Sequence, residues 1–157
     1  AFHREEEYKK GTASSSEDHR VVDITQHQID AAIKGTRLIA TDRVTFRNLV
    51  AGTRVVPFAL FGPLRVQRVQ DAEGTELSFI QENKDDDPDF GVILPKPLDA
   101  GQTYQLAVQY EGDDAVADSG GGNFILLPRS TWYLGNANTF AAKDRAIFDM
   151  TFRYPNK

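Results

Sequence analysis

Residues 98–112 read LDAGQTYQLAVQYEG. Tyr104, Leu106, Val108 and Tyr110 alternate strictly with Gln105, Ala107 and Gln109, after a turn signal at Ala100-Gly101. A period of two puts one side of an extended strand on a core and the other toward water. A helix needs apolar residues every three to four positions, and no segment of ten or more residues carries such a stripe.

The same period recurs on either side. Val22, Ile24, Gln26 and Gln28 alternate with Asp23, Thr25, His27 and Ile29. Leu38, Ala40, Val44, Phe46 and Val50 share one parity against Arg37, Arg43, Thr45 and Arg47. Arg54–Leu60 is expected to be a further strand, and Leu64, Val66 and, after a slip of parity, Val69 another. Asp71-Ala72-Glu73-Gly74 signals a hairpin turn before Leu77–Ile80. Phe90–Leu94 follows, and Pro95-Lys96-Pro97 is expected to forbid a central strand there. Phe124–Leu127 and Arg145–Tyr154 bring the total to about nine short strands. The expected fold is all-β: a mostly antiparallel β-sandwich over residues 20–157, with most of the ten Phe in its core. Residues 1–19 are polar and carry a Gly-Thr-Ala-Ser-Ser-Ser run, the composition of a flexible lead or linker. Glu5–Lys9 and Glu6–Lys10 are spaced for one helical turn within it.

Composition narrows the function. The 157 residues carry a net charge of −5, and two stretches hold the excess. Residues 81–90 and 111–119 each sum to −4. A nucleic-acid binder needs a clustered basic surface, and the arginines here are scattered through strand-like segments. No run of 18 apolar residues exists to span a membrane. There is no Cys, which excludes disulfides, thiolate zinc sites and cysteine nucleophiles. The first residue is Ala rather than Met, so a processed or excised chain is expected. The residues do not fix a compartment, an extracytoplasmic one being favoured.

Candidate chemistry is sparse. A zinc hydrolase of the His-Glu-x-x-His type needs two His one helical turn apart, and His3, His19 and His27 are not so spaced. A looser set of His19, Asp23 and His27 is expected to be an exposed group beside the linker. Ser14, Ser15 and Ser16 near His19 lie in the lead, not in a rigid site. Asp85, Asp87 and Asp89 have the first spacings of a calcium loop, but Phe90 and Lys96 stand where Gly and Glu are needed. Gly120-Gly121-Gly122 lacks the Lys-Ser/Thr of a phosphate loop and precedes a strand. Trp132-Tyr133, after Arg129, is the remaining candidate, either as edge packing or as a contact surface.

The residues together resemble the N-terminal domain of aminopeptidase N-type zinc metallopeptidases, the gluzincin aminopeptidases. The blocks that carry the resemblance are Leu98-x-x-Gly101-x-x-Tyr104-x-Leu106-x-Val108-x-Tyr110-x-Gly112, then Arg145–Phe152 with Pro155, and the opening Val22–Val50 stretch. The likeness spans roughly residues 20–155. It implies a saddle-shaped, non-catalytic β domain that packs on a catalytic peptidase domain of the same chain and borders the cleft for its peptide substrate. Zinc and the general-base Glu would belong to that other domain, and none is expected in this segment. Typical members have Asp-Glu-Pro where this chain has Phe140-Ala141-Ala142. Near Arg129-Ser130-Thr131-Trp132-Tyr133 there is no acid or amide to carry over as a substrate ligand. Arg129, Trp132 and Tyr133 are therefore placed only on the domain-contact or cleft-facing side. The chain ends straight after a strand, which suggests a fragment of a divergent member. The competing expectation is a stand-alone immunoglobulin-like binding or adhesion module, using calcium at the acidic loop or a glycan at Trp132-Tyr133.

Overall fold

The computed structural model describes Glu5, Lys9 and residues 20–87, 89–126, 132–136 and 145–154. Among these, eleven strands form two main sheets and a small ribbon. Four strands are longest: β1 (Val22–Lys34), β2 (Arg37–Asn48), β6 (Phe90–Leu98) and β7 (Thr103–Gly112). The shorter ones are β3 (Thr53–Ala59), β4 (Arg65–Asp71), β5 (Phe79–Gln81), β8 (Val116–Asp118), β9 (Phe124–Leu126), β10 (Gly135–Asn136) and β11 (Ile147–Arg153). One sheet runs β11-β1-β2-β7-β4 and the other β10-β3-β6-β5, with β8-β9 as a separate hairpin. All recorded pairings are antiparallel except β1 with β11. The lead contributes one helical-turn ion pair, Glu5 to Lys9 at 2.8 Å, fully in solvent.

Alternation produces the core. Leu106, Val108 and Tyr110 of β7 are buried, as are Leu38, Ala40, Val44 and Phe46 of the neighbouring β2. Facing them across the sandwich are Val56 and Phe58 of β3 and Phe90, Val92 and Leu94 of β6. Phe46 of the large sheet meets Phe58 of the other sheet edge-on at 5.8 Å, and Phe58 stacks on its sheet neighbour Phe90 at 5.6 Å. Each such ring is worth about 1.5–3 kcal/mol relative to leaving it exposed. Phe61 and Phe79 lean on this core, whereas Phe124, Phe148 and Phe152 are exposed.

Three features depart from simple alternation. In β1 the register with β2 shifts between Ile24 and Gln26. The extra residue, Thr25, switches parity, so Val22 and Ile24 are followed inward by His27, Ile29 and Ala31. The single parity expected for β1 is therefore replaced by two. In β4 the slip before Val69 is a bulge between Val66 and Arg68. In β6 the strand runs on to Leu98, but Pro95–Pro97 pair with neither neighbour, as expected of prolines in a central position. The ladder passes from Val55 opposite Ile93 to Thr53 opposite Leu98. The prolines bulge outward and exposed between those rungs, where no ladder N–H is needed.

Loop chemistry ties the ends. Asn48, fully buried, donates from its amide nitrogen to the carbonyls of Val50, Leu98 and Asp99. It thereby pins the β2–β3 turn to the β6–β7 turn. Asp71 accepts from the backbone of Glu73 and Thr75 and closes the expected turn, but the chain then leaves the sheet. After a single bridge, Gln70 to Glu76, it crosses to β5 in the other sheet.

Gly112 ends β7 against the incoming β4 segment. A Cβ there would lie 2.2 Å from the Pro63 carbonyl oxygen. The Tyr-x-Gly ending is thus a close backbone approach that only glycine fits. Gly112→Ala is expected to lower unfolding stability by about 1–3 kcal/mol in urea titration, because backbone rather than a flexible side chain must give way.

Candidate functional site

The β1 bulge brings His27 into the interior, where it is 2% exposed. Its Nδ1 lies 2.8 Å from Asp42 Oδ2 on β2. Asp42 is 0% exposed and sits between Ala40 and Val44 on the inward face of β2. Burial raises the Asp42 pKa above its ordinary value, while the hydrogen bond and charge of His27 and the Leu134 backbone amide hold it down. Tyr110, diagonal to Asp42 across the β2–β7 ladder, is also buried. Burial, and then the Asp42 charge, push its phenol well above the usual range. Among the described residues, Asp42 Oδ1 and the Tyr110 hydroxyl have no hydrogen-bond partner.

Aromatic rings close over this pair. Phe148 of β11, opposite His27 in the parallel ladder, stacks on the imidazole at 4.7 Å and 13°. Tyr133 meets His27 edge-on at 5.5 Å and Phe148 at 5.1 Å. Trp132 packs edge-on against Tyr133 and leans on Phe152. Leu134, next in the same segment, is fully buried. The polar pair and its aromatic cover thus join β1, β2, β11 and residues 132–134 into one seam.

The expected site residues fall as follows. Trp132 and Tyr133 are half-buried members of this seam, and Arg129 lies outside the described residues. The His19–Asp23–His27 set is not formed as an exposed group. Asp23 faces outward and pairs with Arg20 and Arg47, while the bulge turns His27 to the core. His19 and the serine run lie outside the described residues. In the acidic loop, Asp87 accepts from the Asp89 backbone at 2.9 Å. Glu111, drawn into an ion pair with Arg37, is held on the outer surface.

Asp42 escaped the sequence reading, although it shares the parity of Leu38, Ala40, Val44 and Phe46. A lone acid on an apolar strand face implies a buried partner. Ile29 on the parity of Asp23 and Thr25 was the matching signal for the bulge.

The dyad is sealed from solvent, so no substrate reaches His27 as a general base. Among the described residues no three His, Cys, Asp or Glu side chains converge to hold a metal. A catalytic zinc needs three protein ligands, and these residues do not fit one.

No protein-family model matches the sequence, and no curated protein matches it. Solved structures do. An M1 zinc metallopeptidase from Deinococcus radiodurans is 20% identical, with a TM-score of 0.65 over 87% of this chain and 33% of its own. A mutant of that enzyme bound to a Tyr-Ser-Ala substrate gives 19% and 0.66 with the same coverage. Native yeast LTA4 hydrolase gives 13% and 0.68, over 94% of this chain and 26% of its own. The fold is therefore shared with part of the M1 metallopeptidases. The chain spans about a third of the length of the Deinococcus structures.

Removing one partner of a buried pair strands the other. Asp42→Ala is expected to cost about 3–5 kcal/mol in chemical denaturation, and His27→Leu combined with Asp42→Val to recover part of it. The Asp42 pKa is raised on folding, so its contribution is most favourable below the unfolded value. That contribution is lost as pH rises through the folded value. Wild-type stability relative to Asp42→Asn is accordingly expected to fall between about pH 3 and the raised folded pKa, followed by thermal melts in steps of pH.

Proposed function

We propose that this chain is the non-catalytic N-terminal β domain of a zinc aminopeptidase-like protein. It packs on the catalytic domain of the same protein and borders the cleft that admits a peptide substrate. Zinc and the reacting residues belong to that catalytic domain. The observation that carries this reading is the edge strand β11. All seven of its residues are exposed, among them Ile147, Phe148, Met150 and Phe152, and Tyr154 follows. Such a row of apolar side chains on an open sheet edge needs a cover. Trp132 and Tyr133 lie beside it. The shared fold, over a third of the length of the metallopeptidases it resembles, supports a larger parent.

Two measurements test the proposal. The reading frame beyond Lys157 is expected to encode His-Glu-x-x-His and a later Glu; a frame without them leaves a likeness of fold only. In the full-length protein, the outward amides of β11 are expected to exchange hydrogen about tenfold more slowly than in the 157-residue chain. Ile147→Asp should abolish that difference while leaving the melting temperature of the short chain unchanged. Equal exchange in both proteins would remove β11 as the contact.

A further inference from the structure

The outer face of the large sheet, opposite the aromatic seam, carries a shallow polar pocket of about 250 Å³. It is lined by Gln28, Ile29, Asp30, Arg43, Asp149 and Thr151, from three adjacent strands. Asp149 stands opposite Gln28, and Gln28 opposite Arg43, so the three form one row across β11, β1 and β2. In the next row Asp30 stands opposite Thr151 and is already ion-paired with Arg153. The side chains of Arg43 and Asp149 make no ion pair with any described residue, though both open on the same hollow. A free cation and a free anion therefore remain, with the Gln28 amide between them.

We infer that this pocket binds a short peptide with free ends: its carboxylate on the Arg43 guanidinium, its ammonium on Asp149, and a peptide group on Gln28. The spacing selects the length. Two interstrand steps place the Arg43 and Asp149 backbones about 10 Å apart. An extended peptide advances about 3.3–3.6 Å per residue, so two or three residues match that backbone separation and a single amino acid does not. Gln28 offers both a donor and an acceptor to the linking amide. The balance of one positive and one negative group disfavours simple anions and cations alike. Both charges are exposed to solvent, so binding is weak and salt-sensitive. This proposal does not rest on the docking reading: its residues lie in the 157-residue chain, and its test uses that chain alone.

The test is a titration of the isotope-labelled 157-residue protein with triglycine, followed by amide chemical shifts. Saturable shifts are expected at residues 28–30, 43 and 149–151. Glycine, and triglycine acetylated and amidated at its ends, should each bind at least fivefold more weakly, and 0.5 M NaCl should weaken triglycine likewise. Arg43→Gln and Asp149→Asn, both on the exposed face, should each lose at least fivefold in affinity with unchanged melting temperature. No localised shift, or equal binding by glycine or the blocked peptide, would overturn the proposal. Full affinity in both variants would do the same.

Discussion

One buried contact organises this domain: His27 against Asp42. Neither group is tolerable in an apolar interior alone, and each makes the other so. The contact exists only because β1 gains a residue at Thr25 and changes parity. Without that bulge His27 would point to solvent and Asp42 would be stranded beneath β1. With it, the imidazole becomes a flat surface on which Phe148 stacks and Tyr133 closes edge-on. The parallel strand β11 and the segment 132–134 are thus attached to the sandwich through the same polar pair.

The two faces of the large sheet then take different roles. The inner face is filled by Leu38, Val44, Phe46, Leu106 and Val108 and holds the domain together. The outer face presents Gln, Thr, Arg and Asp in rows and remains open to water. At the β11 edge the inner layer thins, and rings that belong to the core pattern reach solvent. Among the described residues the His27–Asp42 pair is buried on both sides, 2% and 0% exposed, and the burial that keeps it paired also keeps solvent from it.

Much of the fold was legible because its cause is local. The alternation of Tyr104–Tyr110 follows from the pleat alone and predicted β7 closely. The slip before Val69 was visible as two valines on opposite parity, and it is a bulge. The proline run of β6 is unpaired as expected, but that the strand resumes at Leu98 has a cause that is not local. Proline is barred only where a ladder bond is required, and whether one is required depends on the register of β3. Phe124–Leu126 was expected as a strand, but its partner Val116–Asp118 and the pairing of Gly135 with Ala59 were not visible, being too short to carry a period of their own. At the site, Trp132 and Tyr133 were picked out by residue type, whereas their companions His27, Phe148 and Phe152 are distant in sequence.

By itself the sequence determined the all-β class, the inward residues of β2 and β7, and the absence of a zinc-peptidase motif. Each of these depends on residue type and on spacing within a few positions. Tertiary structure alone decided that Gly112 must admit the Pro63 carbonyl, that Asp42 has a partner, and that β11 lies parallel to β1 with its apolar side chains uncovered. These are contacts between segments far apart in the chain. A chain of alternating strands is compatible with many pairings, and only the simultaneous packing of the core and satisfaction of its buried polar groups selects one.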